Sequence, residues 1–413
     1  MDADAFKDKT VLMWDLGNGI EHAVRLAKDF KRVMYCTPPS NETSQYFVGR
    51  GFEGVQKILY FFDEVDKADL VMCGDVGHGD LAHWLKQNGK LVFGAGHGER
   101  CEAHRYPMRQ IQRQIGLPTQ KTALCKGFDA LDKYIDKHPN QVVKFDNVLR
   151  DSNGESFVAK NREYADDHLH NLEVHFGPFA DEQPVMVEEV IDGIEIGFDG
   201  FFYGDWVRPC LWGIEEGSPY LGRYDMRLPP FLETCMTKLT PVLKAVDYRG
   251  AISVEMRVIN KHKAYLIDMT CRFPYNLSMI FTESIENYSE VIWNVANGMP
   301  VELKPKARYV AGATVVVESD DEWSEIEFPP KLREEGKIKF GECACHNGKF
   351  YAIKGRKGQV WVQSMGSNID TIIKEVISNC EKVDAINAKK DRSKALWNIY
   401  EDIKKARRMG INF

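Results

Sequence analysis

Val187-Glu188-Glu189-Val190-Ile191-Asp192-Gly193-Ile194-Glu195 is the stretch around which the rest of the chain falls into order. It opens as an apolar strand over 185–190, turns through Asp192-Gly193, and continues as a second strand over 194–203. An extended linker of this kind offers backbone C=O and N–H groups to the edge of a base such as adenine. A carboxylate farther along, Glu195, can accept hydrogen bonds from ribose hydroxyls. Read alone, the segment is equally a β-strand closed by an Asp-Gly turn. Its neighbours in the chain sharpen the reading. Upstream, Lys144 ends the apolar strand Gln141-Val142-Val143-Lys144, which sets an ammonium at a defined depth beside a phosphate. Downstream, Glu255 and Asp268 fall on two strands, 251–259 and 264–270, that flank the polar turn Asn260-Lys261-His262-Lys263 as a hairpin. Because side chains alternate along strands, one acid on each strand can face the same side and clamp a divalent cation. A lone acid on a strand faces solvent more often than metal, and a lone lysine at a strand end is often only exposed; the three features in this order form a set.

Outward from this core, an apolar run over 10–14 ends in Asp15-Leu16-Gly17-Asn18-Gly19 and leads into an amphipathic stretch over 21–30. Further strands are expected at 33–36, 68–73 and 90–93, separated by helical or glycine-rich sequence. Strands alternating with helices imply a parallel sheet wound on both faces, a Rossmann-like unit over 9–104. Helices follow at 106–115, stopped by Gly116-Leu117-Pro118-Thr119, and at 128–137. Strands at 141–145 and 157–160 are joined by a polar loop over 146–156. A helix over 283–297 ends at Gly298-Met299-Pro300, and strands at 309–318, 350–353 and 359–364 with a helix at 369–382 make a small mixed α+β domain. The expected division is 9–104, then 105–300 with a lid subdomain at about 120–187, then 301–413.

The chain has 413 residues, 44% hydrophobic, with a net charge of -7, which argues against a nucleic-acid footprint. The cluster Lys404, Lys405, Arg407 and Arg408 reads as the solvated face of a C-terminal helix. The ten cysteines are scattered, and Cys343 and Cys345 lack zinc-knuckle or CxxC spacing, so reduced thiols are expected. The first residues are acidic and polar, unlike a signal peptide, and no apolar run approaches the roughly 20 residues that span a bilayer. A cytoplasmic protein without membrane contact follows as the expectation, with monomer or dimer left open.

The order of these elements resembles the ATP-grasp superfamily, and within it the glycinamide ribonucleotide synthetases, also called phosphoribosylamine–glycine ligases. Gly17-Asn18-Gly19-Ile20-Glu21-His22-Ala23 is similar to their GNGGREHA loop, and 94–109 to the segment leading into the ATP region. Val142-Val143-Lys144 matches the lysine strand, Glu188-Glu189-Val190-Ile191-Asp192-Gly193 the EEFLDG linker, and Asp268-Met269-Thr270-Cys271-Arg272-Phe273 the E-x-N-x-R-F motif. Gly358 to Gly366 is similar to the closing strand of the C-terminal domain. The likeness covers nearly the whole chain.

What the resemblance implies is an ATP-dependent carboxylate–amine ligase working through an acyl phosphate, with ATP and Mg2+ (or Mn2+) as cofactors. Lys144 and Arg109 would meet phosphates, Glu188, Glu189, Val190 and Ile191 adenine, and Glu195 the ribose. Glu255, Asp268 and Thr270 would hold the metal, and Arg272 the acceptor carboxylate or its acyl phosphate. Gly17, Asn18, Gly19, Glu21 and His22 would belong to the substrate loop, His22 either at a phosphate or on the helix surface. Tyr220 and Arg223, within 217–225, match a substrate loop by position. The loops Gly74-Asp75-Val76-Gly77-His78-Gly79-Asp80 and Gly94-Ala95-Gly96-His97-Gly98 either line the acceptor pocket or are plain turns.

The chain also departs from the pattern. Ile20 stands where the family has Gly-Arg, only Gly154 remains of a glycine-rich lid, Thr270 replaces an asparagine, and Phe273-Pro274-Tyr275-Asn276 replaces Phe-Gly-Asp-Pro. These changes leave the substrates open: an amino acid such as glycine, and as amine either phosphoribosylamine or another acceptor such as a nucleotide or modified base. The alternative is a non-catalytic nucleotide-binding regulatory or scaffold protein with a degenerate site.

Overall fold

The computed structural model describes residues 5–38, 43–146, 156–160, 162–275, 277–319 and 322–413; most of the expected lid loop, 147–155 with Gly154, lies outside them, as does Asn276. Near the start, β1 (Thr10–Trp14), β2 (Arg32–Cys36), β3 (Val55–Lys57), β4 (Leu70–Cys73) and β5 (Leu91–Phe93) form a parallel sheet in the order β3-β2-β1-β4-β5. Val11 to Met13 and Leu70 to Met72 are completely buried, as strands covered on both faces must be. The strand order reverses between β1 and β4, and ligand sites in such sheets form at the carboxyl ends beside this reversal. Asp15 follows β1 there, and Gly74-Asp75 follow β4. The amphipathic stretch after β1 is helical only over Ile20–Leu26. β3 was not anticipated: it is a three-residue edge strand with no apolar run.

A second, antiparallel sheet follows: β6 (Thr122–Lys126), β7 (Gln141–Phe145), β8 (Ser156–Ala159) and β9 (Pro184–Glu189), in the order β6-β9-β7-β8. Alternation divides it cleanly. Val143, Phe145, Val185 and Val187 pack with Phe128, Leu131 and Ile135 of the helix Phe128–Lys137 into a separate core. That leaves Lys144, Met186 and Glu188 on the opposite face.

The largest sheet is antiparallel and holds β10 (Ile194–Phe202), β11 (Cys210–Glu215), β12 (Tyr220–Asp225), β13 (Gly250–Asn260) and β14 (Lys263–Thr270). Later segments are β15 (Tyr309–Ser319), β16 (Ser324–Ile326), β17 (Ile338–Gly341), β18 (Cys343–His346), β19 (Lys349–Ala352), β20 (Arg356–Gly366) and β21 (Ala388–Lys389). The order is β14-β13-β10-β11-β12-β15-β20-β17, with β21 on β15, while β16, β19 and β18 make a small sheet of their own. Because β15 pairs with β12, the sheet runs across the Gly298-Met299-Pro300 break. The segment 217–225, matched to a substrate loop, is mostly the regular strand β12.

The helix expected over 283–297 is two pieces, Phe281–Ser284 and Tyr288–Ala296. Ile285 is extended between them, and the Asn287 side chain accepts the Lys304 N–H at 2.9 Å instead of continuing the helix. The basic terminal stretch is the helix Leu396–Arg408, whose Lys404 and Lys405 are solvated and pair with Glu401 and Asp402. Among the described residues no helix is long and apolar enough to cross a membrane.

Candidate active site

The central feature is one face of the large sheet. On β10, Glu195, Gly197 and Asp199 alternate onto the same side, and register sets Gly197 opposite both Glu255 of β13 and Gly213 of β11. Glu255 in turn faces Asp268 of β14, and Glu215 lies two residues beyond Gly213. Five carboxylates therefore share this face. Tyr220 lies across the glycines: a Cβ on Gly222 or Gly213 would collide with its ring or hydroxyl, and that hydroxyl donates to Asp199 Oδ2 at 3.0 Å.

Crowding shows in the titration of these acids. Burial, then Asp268 and Glu195, pushes Glu255 up to about 8. Burial likewise raises Asp199 to about 6, and raises Glu195 and, more strongly, Glu215. Asp268 goes the other way. Burial opposes its charge too, but Lys144 and Arg105 overcome that and hold it well below the usual carboxylate range.

Those two cations come from the neighbouring elements. Lys144 Nζ is 3.7 Å from Asp268 Oδ2 and 3.6 Å from Glu188 Oε2, and donates to the Ile267 carbonyl at 2.7 Å. Arg105, at the start of the helix Arg105–Gln114, meets the Asp268 oxygens at 2.9 and 3.1 Å and donates to the Phe145 carbonyl at 3.0 Å. A register shift between Glu255 and Met256 leaves Ile267 as an extra residue, and this bulge turns its carbonyl toward Lys144 and Arg109.

Arg105 was not among the residues singled out from the sequence. The expected phosphate cation was Arg109, one helical turn later, but Arg109 is 3% exposed and bound to Glu188, with Nε–Oε1 at 2.6 Å and Nη2–Oε2 at 3.0 Å. The pair is consumed in joining the helix to β9. Spacing of i and i+4 put both arginines on one face; only the tertiary packing shows which one reaches Asp268.

Beyond Glu188, Glu189 accepts the Lys121 N–H at 3.1 Å, and Val190 and Ile191 lie in the irregular linker between β9 and β10. Glu195 is bound by Arg257 at 2.6 Å. A cleft of about 660 Å³ opens at this end of the sheet, lined among others by Asp192, Glu195, Glu215, Arg257 and Lys405. Thr270 ends β14, opposite Ser253.

Arg272 lies beyond β14, with Nε 3.1 Å from Glu102 Oε1 and 3.6 Å from Asp75 Oδ1. It thereby links the large sheet to the carboxyl edge of the parallel sheet. There Asp15 organises the glycine loop, accepting from Gly17 N at 2.9 Å, Gly19 N, Tyr35 Oη and, at 3.0 Å, Tyr275 Oη. Any side chain on Gly19 would run into Asp15 and Tyr275. Burial raises Asp15 to about 6, with Asp75 adding to the effect. Asn18 is partly buried in the same loop, and Gly17 O accepts Glu342 N.

Three residues matched to the substrate loop are elsewhere. Glu21 is 1% exposed and binds Arg333 at 2.7 Å and the Phe340 N–H at 3.0 Å, tying the first helix to β17. His22 is completely buried, stacked on Phe273 and bound to Tyr288 Oη at 2.6 Å and Ser278 Oγ at 3.1 Å. Arg223 alternates onto the face opposite Tyr220, against Trp212 and Asp225. Each is engaged in packing the core or its borders rather than lining the acid face.

No family model matches the chain, and no curated protein matches it. Solved structures do. A phosphoribosylamine–glycine ligase from Thermotoga maritima is similar with a TM-score of 0.67 at 15% identity, over 92% of this chain and 98% of that chain. A biotin carboxylase from Campylobacter jejuni gives 0.65 at 13%, over 95% of each. An N5-carboxyaminoimidazole ribonucleotide synthetase, also from Thermotoga maritima, gives 0.59 at 13%, over 91% and 99%. All three are ATP-grasp enzymes, and with its parallel and antiparallel sheets matching theirs at these TM-scores over nearly the whole chain, the chain has the ATP-grasp fold.

Proposed function

We propose that the chain is an ATP-dependent ligase that joins a carboxylate to an amine. The observation that carries this is the meeting of Lys144 and Arg105 with Asp268, directly across from Glu255, where the four-stranded sheet closes on the large one. Cations and carboxylates interleaved in this way suit a triphosphate and its counter-ion. In the reaction, a carboxylate oxygen of the acceptor attacks the γ-phosphorus and ADP leaves. The amine nitrogen then attacks the acyl carbon, phosphate leaves with the C–O electron pair, and the nitrogen loses a proton. Lys144 and Arg105 would grip phosphate oxygens, the 188–191 linker the adenine edge, Glu195 the ribose, and Arg272 the acceptor carboxylate.

Glu255 and Asp268, with Thr270 beside them, are the residues that would hold a magnesium or manganese ion. Burial first, and then the charges of Asp268 and Glu195, raise Glu255, and a divalent cation would oppose that shift. Among the described residues no group of three or more His, Cys, Asp or Glu is placed to hold an ion unaided. That suits a cation completing its shell with phosphate oxygens and water. When bound, it would neutralise charge on the phosphates.

Glycine or a related amino acid and a nucleotide-like amine are the substrates this reading favours. The test is ADP release and mass-spectrometric detection of new amides with pooled amino acids and candidate amines. The second reading is a non-catalytic nucleotide binder; the cavity among Arg105, Lys144 and Asp268 is about 20 Å³, room for no more than a water, so under either reading these side chains must move aside to admit a phosphate. ATP bound tightly with no ADP formed under any pool would establish that second reading.

A further inference from the structure

The cleft of about 660 Å³ has two sides, and only one belongs to the elements assigned so far. Its floor is made by strand ends of the large sheet. Ile194 and Glu195 open β10, Ile214 and Glu215 close β11, and Arg257 of β13 stands opposite Glu195 and donates to the Gly193 carbonyl at 3.3 Å. Glu255 lies two residues away along β13, roughly 7 Å by strand rise, and faces Asp268. The cleft therefore adjoins the phosphate end of the site. Its volume is that of small-molecule pockets, roughly 300–1,000 Å³. A triphosphate held by Lys144 and Arg105 would have its ribose and base here.

The other side comes from a segment distant in sequence, the helix Leu396–Arg408 and the residue after it. Asp402, Lys405 and Met409 line the cleft. Spacings of three and four put them on one side of the helix, while Leu396, Ile399, Ile403 and Ala406 are buried on another. The helix is fixed at both ends. Near its start Asn398 Nδ2 reaches Glu216 Oε1 at 3.4 Å, in the turn after β11. Past its end Gly410, at φ +81°, reverses the chain, and Phe413 packs edge-on to Trp212 of β11 with ring centres 4.9 Å apart. Lys405 pairs with Asp402 at 2.6 Å but keeps 55% of its side chain exposed, so its ammonium can reach a bound molecule. Among the described residues lining the cleft, Arg257 and Lys405 are the only cations, and Arg257 is taken by Glu195 at 2.6 Å.

We propose that this helix is the outer wall of the nucleotide site: Met409 and Ile259 pack on the base, and Lys405 leaves Asp402 to donate to the nucleoside. A thioether is polarizable and adapts to a flat ring. An ammonium donates to hydroxyl oxygens and ring nitrogens alike. It also offsets Asp192, Glu195, Glu215 and Glu216, which a polyanionic ligand must approach. The wall rests on the ATP reading above and adds to it residues that the sequence marks only as a charged helix face.

Isothermal titration of the full chain with Mg-ATP compares Met409→Ala and Lys405→Ala with Lys404→Ala, a control for charge alone whose side chain does not line the cleft. The two wall variants should each weaken binding about fivefold, the control by less than about twofold. Met409→Leu keeps the bulk and should bind as wild type. ATP should also protect Lys405, but not Lys404, from acetylation by acetic anhydride, read by mass spectrometry. Unchanged affinity in Met409→Ala or Lys405→Ala, an equal loss in Lys404→Ala, or acetylation of Lys405 indifferent to ATP overturns the proposal and leaves the ligase reading in place. A wild-type chain that binds no ATP overturns both. ATP binding that depends on the wall, with no ADP or amide formed from any pool, sustains the wall and rejects the ligase reading.

Discussion

Glu255 and Asp268 stand directly opposite one another on β13 and β14, yet their carboxyl groups are driven apart, the first up to about 8 and the second far down. Their surroundings explain it. Asp268 has Arg105 and Lys144 close against it, while Glu255 is raised first by burial and then by Asp268, Glu195 and Asp199, which Lys144 offsets only in part.

The two positions should therefore respond differently to loss of charge. Asp268→Asn leaves two buried cations short of a partner and should destabilise the unliganded protein by about 2 kcal/mol, since both keep a backbone carbonyl. Glu255 is held mostly protonated at neutral pH at a cost to folding, so Glu255→Gln removes that cost and should leave stability unchanged or raised. Both should lower turnover at limiting magnesium. Urea denaturation beside steady-state assays decides it; equal destabilisation, or normal turnover in either variant, would remove the pair from its assigned role.

Arg105 and Arg109 should separate binding from folding. Arg109→Met leaves Glu188, 1% exposed, with only Thr122 and the more distant Lys144, and should cost about 3 kcal/mol of stability. Arg105→Met should instead weaken ATP binding, with a smaller loss of stability. Isothermal titration with ATP alongside denaturation measures both, and reversed effects would show that the wrong arginine has been assigned to the phosphates.

Lys144→Met removes a cation from the phosphate end alone, so ATP affinity and turnover should fall together. Arg272→Lys keeps charge but loses the planar fork, so the acceptor's KM should rise more than that of ATP. Loss of one or two charge-assisted hydrogen bonds corresponds to roughly a hundredfold in kcat/KM. An unchanged acceptor constant would make Arg272 only the ion-pair partner of Glu102 and Asp75.

His22 predicts a pH dependence of stability. Burial, then Lys339, lowers it from 6.5 to about 3, so it stays neutral when folded but gains a proton when unfolded. No penalty exists above pH 6.5; it grows as pH falls and levels off near 3. At pH 5.5 it amounts to about 1.4 kcal/mol. Denaturation curves for wild type and His22→Gln should converge by that amount between pH 7.5 and 5.5, and parallel curves would mean that His22 takes up its proton at the same pH in the folded and unfolded chain.

Regular patterns were the legible part of the sequence. The helix Phe128–Lys137 and strand Gln141–Phe145 coincide with expectation, and so does the β13–β14 hairpin within a residue, because apolar periodicity and turn residues agree there. β6 was missed because it is an edge strand with Leu124 facing solvent. The helix Pro230–Ala245 was hidden by a proline at its start and Pro241 within it. The placement of Lys144, Glu255 and Asp268 was legible because strands fix the depth of a side chain. The burial of Glu21 against β17 and of His22 against Tyr288 was not legible, because a motif does not reveal which way its helix faces. Arg105 was passed over because its role depends on Asp268, 163 residues away.

The pairing of β15 with β12, from Tyr220 opposite Gly312 to Arg223 opposite Tyr309, makes the wall that carries Tyr220 dependent on sequence about ninety residues later. A chain cut at 300 would not be a smaller catalyst. It would expose the N–H and C=O groups of β12 along an open border, beside the otherwise buried Leu221 and Trp212. Such a border templates pairing with another copy, so the shortened protein should self-associate into sheet-rich aggregates.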